Sequence, residues 1–388
     1  MWFGACTSAI GTWMQKVAQS WLIYTVTNSK FLLALDAFLA DIPIFLFSLL
    51  GGVVADRMER RFLLMGSQVI QMICATILAF LVGFHVIQHI GVWPILCLSF
   101  VAGIAQAFGG PAYSALIPTL VDKEDMPNAI ALNSIQFNAA VTVGPAIAAV
   151  VLAKLGDTWC FALNAVSFWA PIISLLMLRV RFLPAKTTES ILDSMKQGFR
   201  FVRTQGAMEA LIILGFLMTF LAIPSRTYLP VFARDIFHQG KETYAMFLSL
   251  SGLGSILGAL TVAGLGNIRK KGRVALLMLI CMGITISGFA VSKSIVLSCV
   301  MIFLSGASII AVFAAVVSLV QLIVSNEMRG RVISVYNFAF RGGMPMGNLM
   351  TGWLVPMFTA PVVLGVNGLL LVALAIYFLT FQRRVAEL

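Results

Sequence analysis

The chain has 388 residues, of which 60% are hydrophobic and 11% charged, and its mean hydropathy of +0.99 excludes a soluble globular protein. Its net charge of +11 does not indicate nucleic-acid binding, because the basic residues are scattered over short loops. Membrane topology and the anionic cytoplasmic lipid surface explain them better. We therefore expect membrane lipids, and no nucleic acid, as partners.

Apolar runs of about 20 residues recur along the whole chain, and this is the length that a transmembrane helix needs. They predict an all-α membrane protein with twelve spans, at residues 2–26, 31–55, 62–84, 92–115, 128–153, 159–179, 207–232, 242–266, 273–292, 295–320, 329–358 and 361–381. Of the 26 Lys and Arg residues, 18 fall on one side of these spans and 5 on the other. By the positive-inside rule both termini are cytoplasmic, in a multi-pass protein of the cell (inner) membrane. Because the first span begins at Trp2 without a basic leader, we expect a short cytoplasmic arm to be missing from this numbering.

One face of span one is polar, because four polar side chains recur there at helical spacing. They are Thr12, Gln15, Lys16 and Gln19. Spans five and eleven carry polar faces as well, formed by Asn133, Gln136, Asn337, Arg341 and Asn348. A bundle must turn such faces inward, so we predict that they line a substrate and proton pathway. For any single residue the alternative is a hydrogen bond that joins two helices.

Five charged residues fall inside predicted spans and away from the span ends: Lys16, Asp36, Asp41, Arg226 and Arg341. Because a charge in hydrocarbon is costly, each is a candidate functional residue. At about 1.5 Å of rise per residue, Lys16 and Asp41 lie at one depth, roughly 15 Å from the outer face. Asp36 and Arg226 lie at another, roughly 8 Å from that face. These depths predict a Lys16–Asp41 pair and an Asp36–Arg226 pair. If protons drive transport, one of the two aspartates carries them, because burial lets a carboxylate take up and release a proton near neutral pH.

The stretch between spans two and three reads Gly51-Gly-Val-Val-Ala-Asp-Arg-Met-Glu-Arg-Arg61. Gly51 and Gly52 allow a helix end to approach a neighbour closely, and Asp56 is able to cap another helix's N-terminus. The basic residues, which the positive-inside rule keeps in the cytoplasm, are Arg57, Arg60 and Arg61. The order resembles the signature between helices two and three of major facilitator superfamily transporters, where the Asp and the basic residues close the cytoplasmic gate. The alternative is an ordinary basic loop.

Gly144 and Pro145 interrupt span five, since proline removes a helix hydrogen bond and glycine permits close approach. Pro345 and Gly347 are expected to kink span eleven in a comparable way. The first pair resembles the Gly-Pro signature of helix five in superfamily exporters that exchange protons for substrate. The small residues that follow are alanines rather than glycines, and a tolerated membrane proline is the alternative.

The two halves of the chain repeat each other. Glu124–Ser134 resembles Glu327–Asn337, and at the same offset of 203 residues Gly144 falls on Gly347. Parallel repeats joined by a cytoplasmic linker are a transporter architecture. We predict two pseudo-symmetric six-helix bundles at 1–179 and 207–388.

The linker between the bundles, residues 180–206, is the longest connection in the chain. Apolar residues recur in it at helical spacing, with basic residues between them: Ile191, Met195, Phe199 and Val202. This pattern predicts an amphipathic helix on the inner leaflet.

Other chemistry has little support. His85 and His89 have the spacing of a helical metal pair, but no carboxylate or cysteine lies nearby. The six cysteines lie in or beside apolar runs without Cys-x-x-Cys spacing. Neither a phosphate-binding Gly-x-x-x-x-Gly-Lys-Ser/Thr loop nor a His-Glu-x-x-His motif is present. We expect no enzyme activity, no metal and no cofactor.

Further phrases extend the resemblance over the whole chain: Gly11-Thr-Trp-Met-Gln15, Trp21-Leu-Ile-Tyr-Thr-Val-Thr27, Phe108-Gly-Gly-Pro-Ala112, Met126-Pro-Asn-Ala-Ile-Ala-Leu-Asn133, Tyr228-Leu-Pro-Val-Phe-Ala-Arg234 and Arg329-Gly-Arg331. They resemble the transmembrane secretion effector subgroup, which contains the enterobactin exporter and macrolide efflux proteins. The resemblance implies export of a drug-like or siderophore-like amphipathic molecule from the cytoplasm by alternating access, with proton antiport, by a monomer. The alternatives are a lipid or lysophospholipid translocator of the same fold and a non-transporting membrane sensor.

Overall fold

The computed structural model describes residues 1–178, 191–264, 271–325, 328–381 and 385. Every regular element in these ranges is a helix, which confirms the all-α prediction for this part of the chain. Residues 179–190 of the predicted linker region and Glu327 of the repeat lie outside the described residues. The chain divides into two compact units, of which unit 1 comprises Met1–Thr188 and Gln239–Ser249, and unit 2 comprises Glu189–His238 and Leu250–Leu388.

Unit 1 is built from helices connected by short turns. They are α1 (Trp2–Thr27), α2 (Lys30–Arg57), α3 (Arg60–Gly83), α4 (Val86–Ile90), α5 (Trp93–Leu116), α6 (Met126–Lys154), α7 (Asp157–Ser167) and α8 (Trp169–Met177). A single 3₁₀ turn, Ile117–Thr119, follows α5. Polar residues end one helix and begin the next: Asn28 adopts a left-handed conformation with φ 52° after α1, and the Ser29 side chain accepts the Leu32 N–H of α2.

Small residues allow the long helices of unit 1 to approach one another closely. Gly51 of α2 lies against the backbone of Ala107 in α5, and a Cβ at Gly103 would lie 2.5 Å from the carbonyl oxygen of Ala40. Gly144 of α6 faces α1, where a Cβ would lie 2.6 Å from the Cβ of Trp13. The α2–α5 and α1–α6 contacts therefore depend on the absence of a side chain.

Unit 2 has the remaining helices. They are α9 (Ile191–Thr204), α10 (Gly206–Ala222), α11 (Pro224–Thr227), α12 (Leu229–Val231), α13 (Lys241–Gly264, whose first residues belong to unit 1), α14 (Lys271–Val291), α15 (Ile295–Ile323), α16 (Arg329–Leu354) and α17 (Ala360–Thr380). A π-helical turn, Phe232–Ile236, follows α12. Close contacts between glycines and neighbouring backbones recur here: Gly283 of α14 faces Gly368 of α17, and Gly347 of α16 faces Phe220 of α10.

The predicted amphipathic helix corresponds to α9, which packs on α16. A Cβ at Gly198 would lie 2.9 Å from the carbonyl oxygen of Arg331, and Val202 is buried. Phe199, which the sequence pattern places on the same apolar face, is 41% exposed. Part of the apolar face of α9 therefore contacts protein, and its position on the inner leaflet stays a prediction.

Among the described residues, ten helical segments are long and apolar enough to cross a membrane. Helices α1 and α16 do not belong to this set, although each has 26 residues, because polar side chains interrupt their apolar surface. Many large apolar side chains on the ten segments are exposed, for example Phe80, Leu260 and Leu369. Exposed apolar side chains on long apolar helices are typical of a lipid-facing surface.

Candidate functional site

A buried carboxylate lies where α1, α2 and α5 meet in unit 1. The amide nitrogen of Gln19 donates hydrogen bonds of 2.9 Å to both carboxylate oxygens of Asp36, and the hydroxyl group of Ser99 donates a further one. The Gln19 amide also donates to the Ser99 oxygen at 2.8 Å. Each of the three residues is less than 9% exposed. We call Gln19, Asp36 and Ser99 the Asp36 cluster.

A chain of amides extends this cluster along α1 to α7. The Gln15 amide donates to the Gln19 side-chain oxygen over 3.4 Å, and the buried Asn164 amide donates to the Gln15 oxygen over 2.7 Å. Sequence reasoning missed Ser99 and Asn164. Each is a polar residue in an otherwise apolar span. Its hydrogen bonds become visible only when the neighbouring helices are in place.

Other residues of the predicted pathway lie on the same helices, α1 and α2, as Gln19 and Asp36. Lys16 is exposed, with its ammonium group 4.7 Å from the centre of the Trp13 ring. Lys16 and the half-buried Asp41 both lie near enough to Asp36 to act on it electrostatically. Thr12 donates to the carbonyl oxygen of Ser8 one turn earlier in its own helix. The predicted Lys16–Asp41 pair stays a prediction.

The polar residues of α6 have a separate environment. Gln136 is buried and accepts a 2.7 Å hydrogen bond from the Tyr113 hydroxyl of α5, whereas Asn133 is half-buried. Helix α6 continues through Pro145, so a bend at Gly144 and Pro145 would occur inside one uninterrupted helix. Helix α16 likewise continues through Pro345 and Gly347.

Arg60 and Arg61, in the basic stretch Gly51–Arg61, contact the ends of several helices. Arg60 contacts Asp56 at 3.5 Å and donates to the carbonyl oxygens of Ala55 and Ala115, the latter near the end of α5. Arg61 donates to the carbonyl oxygen of Leu176 at the end of α8. Arginine donors at helix C-termini satisfy carbonyl groups that have no partner within their own helix. Arg60 and Arg61 therefore connect the ends of α2, α5 and α8.

Two other members of the stretch, Gly52 and Arg57, have little contact with the rest of the chain. Arg57 is exposed, and a Cβ at Gly52 would meet no atom within 4 Å. Only Gly51 of the two glycines lies against another helix. Asp56 lies at the end of its own helix and pairs with Arg60, one turn along the chain.

Unit 2 holds two of the charged residues that the sequence places inside spans, Arg226 and Arg341. Arg226 of α11 donates one hydrogen bond, 3.3 Å long, to the hydroxyl oxygen of Ser255 in α13. Its neighbour Thr227 donates to the buried side-chain oxygen of Asn348 in α16 over 2.9 Å. Asn337 and Arg341 of α16 are exposed. Asp36 and Arg226 belong to different units, and the pair predicted between them stays a prediction.

The side chains brought together in this way favour ion and hydrogen-bond chemistry over metal chemistry. In the described ranges, no group of three or more His, Cys, Asp or Glu residues is able to hold a metal ion.

Comparison with known proteins gives one family over the whole chain. The profile of the family described as transmembrane secretion effector, a group of the major facilitator superfamily, matches residues 1–388. Macrolide efflux protein A of Streptococcus pyogenes is 23% identical, over 90% of this chain and 87% of its own length. The enterobactin exporter EntS of Shigella boydii serotype 4 is 26% identical, over 87% of this chain and 80% of its own length. The staphyloferrin A transporter of Staphylococcus aureus is 22% identical, over 97% of this chain and 94% of its own length.

Solved structures of transporters share the fold. A variant of the nucleoside transporter NupG has a TM-score of 0.77 at 15% identity and covers 97% of this chain and 99% of its own. A bacterial homologue of the iron transporter ferroportin, in an inward-facing state, has a TM-score of 0.73 at 15% identity. The match covers 98% of this chain and 97% of the homologue. At such identities the similarity establishes the fold alone.

Proposed function

The chain belongs to the transmembrane secretion effector family of the major facilitator superfamily, and from this premise we propose that it exports a small amphipathic molecule from the cytoplasm in exchange for protons. The relatives named as macrolide, enterobactin and multidrug exporters support efflux and the drug-like or siderophore-like class of substrate.

The Asp36 cluster is the observation that carries the proton-coupled part of the proposal. Ser99 has a hydroxyl group that either donates or accepts, and the Gln19 amide offers both an oxygen and two N–H groups. Asp36 therefore keeps hydrogen-bond partners whether it is ionised or protonated. A carboxylate that is satisfied in both states, away from bulk water, suits a carrier that must load and release one proton per cycle.

The transport cycle in this proposal is alternating access by two six-helix bundles, twelve spans in all. Counting α1 and α16 with the ten apolar segments gives twelve, since both are long enough to cross and owe their polarity to the faces that would line the pathway. The fold shared with solved transporters supports this organisation.

The polar pathway in this mechanism runs along α1, α2, α6, α11 and α16. Its residues are Thr12, Gln15, Lys16, Gln19, Asp36, Asp41, Asn133, Gln136, Arg226, Asn337 and Arg341.

The stretch Gly51–Arg61 acts as the cytoplasmic gate, and the contacts of Arg60 and Arg61 with the ends of α5 and α8 support that role. Gly144, Pro145, Pro345 and Gly347 supply the helix bends. The two bundles are residues 1–179 and 207–388, joined by the cytoplasmic linker 180–206, and the transporter works as a monomer with both termini in the cytoplasm.

Inside-out proteoliposomes with an acidic lumen provide the test. Wild-type protein should accumulate a radiolabelled macrolide in the lumen, and an ionophore that removes the pH gradient should abolish the accumulation. Macrolide uptake that is equally fast with and without the pH gradient would contradict proton antiport. Movement of a fluorescent lysophospholipid, with no uptake of macrolide or enterobactin, would instead favour the lipid translocator.

A further inference from the structure

The guanidinium group of Arg226 in unit 2 is left with most of its hydrogen-bonding capacity unused. An arginine has five N–H donors, yet within the described residues Arg226 makes one hydrogen bond, to Ser255. Its Nε atom is buried, and no group in the described part of the chain hydrogen-bonds to it. A buried donor without a partner loses the free energy of hydration and gains nothing in return, so such groups usually mark a place where a ligand or water completes the site.

A small, partly open pocket adjoins this arginine, and its walls have a distinct composition. Hydroxyl groups contribute the polar part, and large apolar side chains contribute the rest. The lining residues are Ser225, Arg226, Leu229, Ser251, Ile286, Phe289, Ile302 and Ser305. No carboxylate is among these described lining residues, so the positive charge of Arg226 has no counter-charge in the cavity wall.

The protein groups nearest to Arg226 do not neutralise it. Ser255, its one partner, is an uncharged hydroxyl that itself lies within hydrogen-bond reach of two carbonyl oxygens, those of Ser251 and Gly306. Taking a cation out of water costs several kcal/mol unless an anion and further hydrogen bonds offset it. The arrangement is therefore incomplete as a purely structural ion site.

We propose that Arg226, with Ser251 and Ser305, binds a carboxylate group that is attached to a small apolar body. This proposal deepens the proposed function, since it rests on export and assigns a binding group to those exported molecules that carry a carboxylate. The planar guanidinium donates two parallel hydrogen bonds to a carboxylate, and the serine hydroxyls are able to donate to the remaining lone pairs. Leu229, Ile286 and Phe289 then face the apolar body.

A singly charged group fits this cavity better than a phosphate does. One arginine supplies one positive charge, and no lysine or second arginine lines the described cavity. Apolar side chains form half of its wall, and they would contact the apolar part of an organic anion while the polar groups fix its orientation. A free monovalent anion such as chloride shares the charge but gains nothing from those apolar walls.

Asp36 is the other partner that the sequence suggests for Arg226. Its carboxylate already accepts hydrogen bonds from Gln19 and Ser99 within unit 1. It is thus satisfied without an arginine, whereas Arg226 is not.

Binding is tested on the full-length protein in detergent micelles, by thermal unfolding followed through tryptophan fluorescence. The probes are sodium benzoate, benzamide as its neutral counterpart, and sodium chloride at the same added concentration. We expect benzoate at ten times its dissociation constant to raise the midpoint of unfolding by about 2 °C more than the other two. Equal shifts with benzamide would assign the cavity to apolar ligands, and equal shifts with chloride would assign it to a free anion. Either result overturns the proposal.

Variants identify the residue responsible. Arg226→Gln should abolish the benzoate shift, and Arg226→Lys, which keeps the charge but not the planar donor pair, should reduce it by half or more. Arg273→Gln removes an exposed positive charge elsewhere in unit 2 and should leave the shift intact. A benzoate shift that survives in Arg226→Gln contradicts the proposal, and if that variant does not fold, an undiminished shift in Arg226→Lys does so.

A transport measurement separates this proposal from the proposed function. In proteoliposomes, an aromatic carboxylate should be exported at least five times faster than its methyl ester by wild type and by Arg273→Gln, and Arg226→Gln should remove that preference. Benzoate binding without any transport would refute export and leave the carboxylate site standing. Export of the acid and the ester at equal rates would refute the site and leave export standing.

Discussion

Asp36 and Arg226, two charged residues inside predicted spans, differ in how the protein satisfies them. Asp36 is hydrogen-bonded on both oxygens by Gln19 and Ser99, while Arg226 has a single long contact with Ser255. Both charged residues were identifiable from sequence, because a charge within an apolar run is conspicuous. Ser99 was not, since a serine is tolerated at many places in a membrane helix and only packing decides which ones contact a carboxylate.

Replacing Ser99 tests whether it supports Asp36. Ser99→Ala removes one of the donors to a buried carboxylate and should destabilise the folded protein by about 1–3 kcal/mol. Ser134→Ala is the matched control, because Ser134 is exposed and bonds only to the Ile130 carbonyl of its own helix, and its effect should stay within about 0.5 kcal/mol. Thermal unfolding in detergent measures both. Equal stability of the two variants would show that Ser99 contributes nothing to the cluster.

At the scale of helices, hydropathy predicted the ten described segments that are long and apolar enough to cross a membrane, and polar periodicity marked one face of α1. Neither signal identifies which helices touch. The α2–α5 contact depends on Gly51 lying against Ala107, whereas Gly52 beside it faces open space, and both glycines look alike in the sequence. Helix α9 illustrates the same limit, because its sequence predicts an apolar face but not that α16 would cover part of it.

The neighbouring glycines allow a direct comparison. A methyl group at Gly51 would collide with the Ala107 backbone, so Gly51→Ala should cost about 1–3 kcal/mol through overpacking. Gly52→Ala adds the same methyl group where nothing lies within 4 Å and should be neutral or slightly stabilising. The midpoints of thermal unfolding of the two variants measure this difference in stability. If Gly51→Ala were as stable as Gly52→Ala, the close α2–α5 approach would be refuted.

At the scale of the whole molecule, we predict the topology from the distribution of Lys and Arg. We expect a single cysteine at Lys123, in a cysteine-free background, to react with a membrane-impermeant maleimide only after the cytoplasmic side is opened. A cysteine at Lys293 should react in intact cells. Both positions are exposed, so accessibility does not bias the comparison. The reverse labelling pattern would invert the orientation and with it the direction of transport.

The central claim is that Asp36 couples export to proton movement. The most direct measurement is proton flux in proteoliposomes that contain a pH-sensitive dye, on addition of a macrolide, with wild type, Asp36→Asn and the exposed loop control Asp122→Asn. Wild type and Asp122→Asn should move protons against substrate, and Asp36→Asn should lose that flux while still binding the macrolide. Substrate-driven proton flux that persists unchanged in Asp36→Asn would contradict the account.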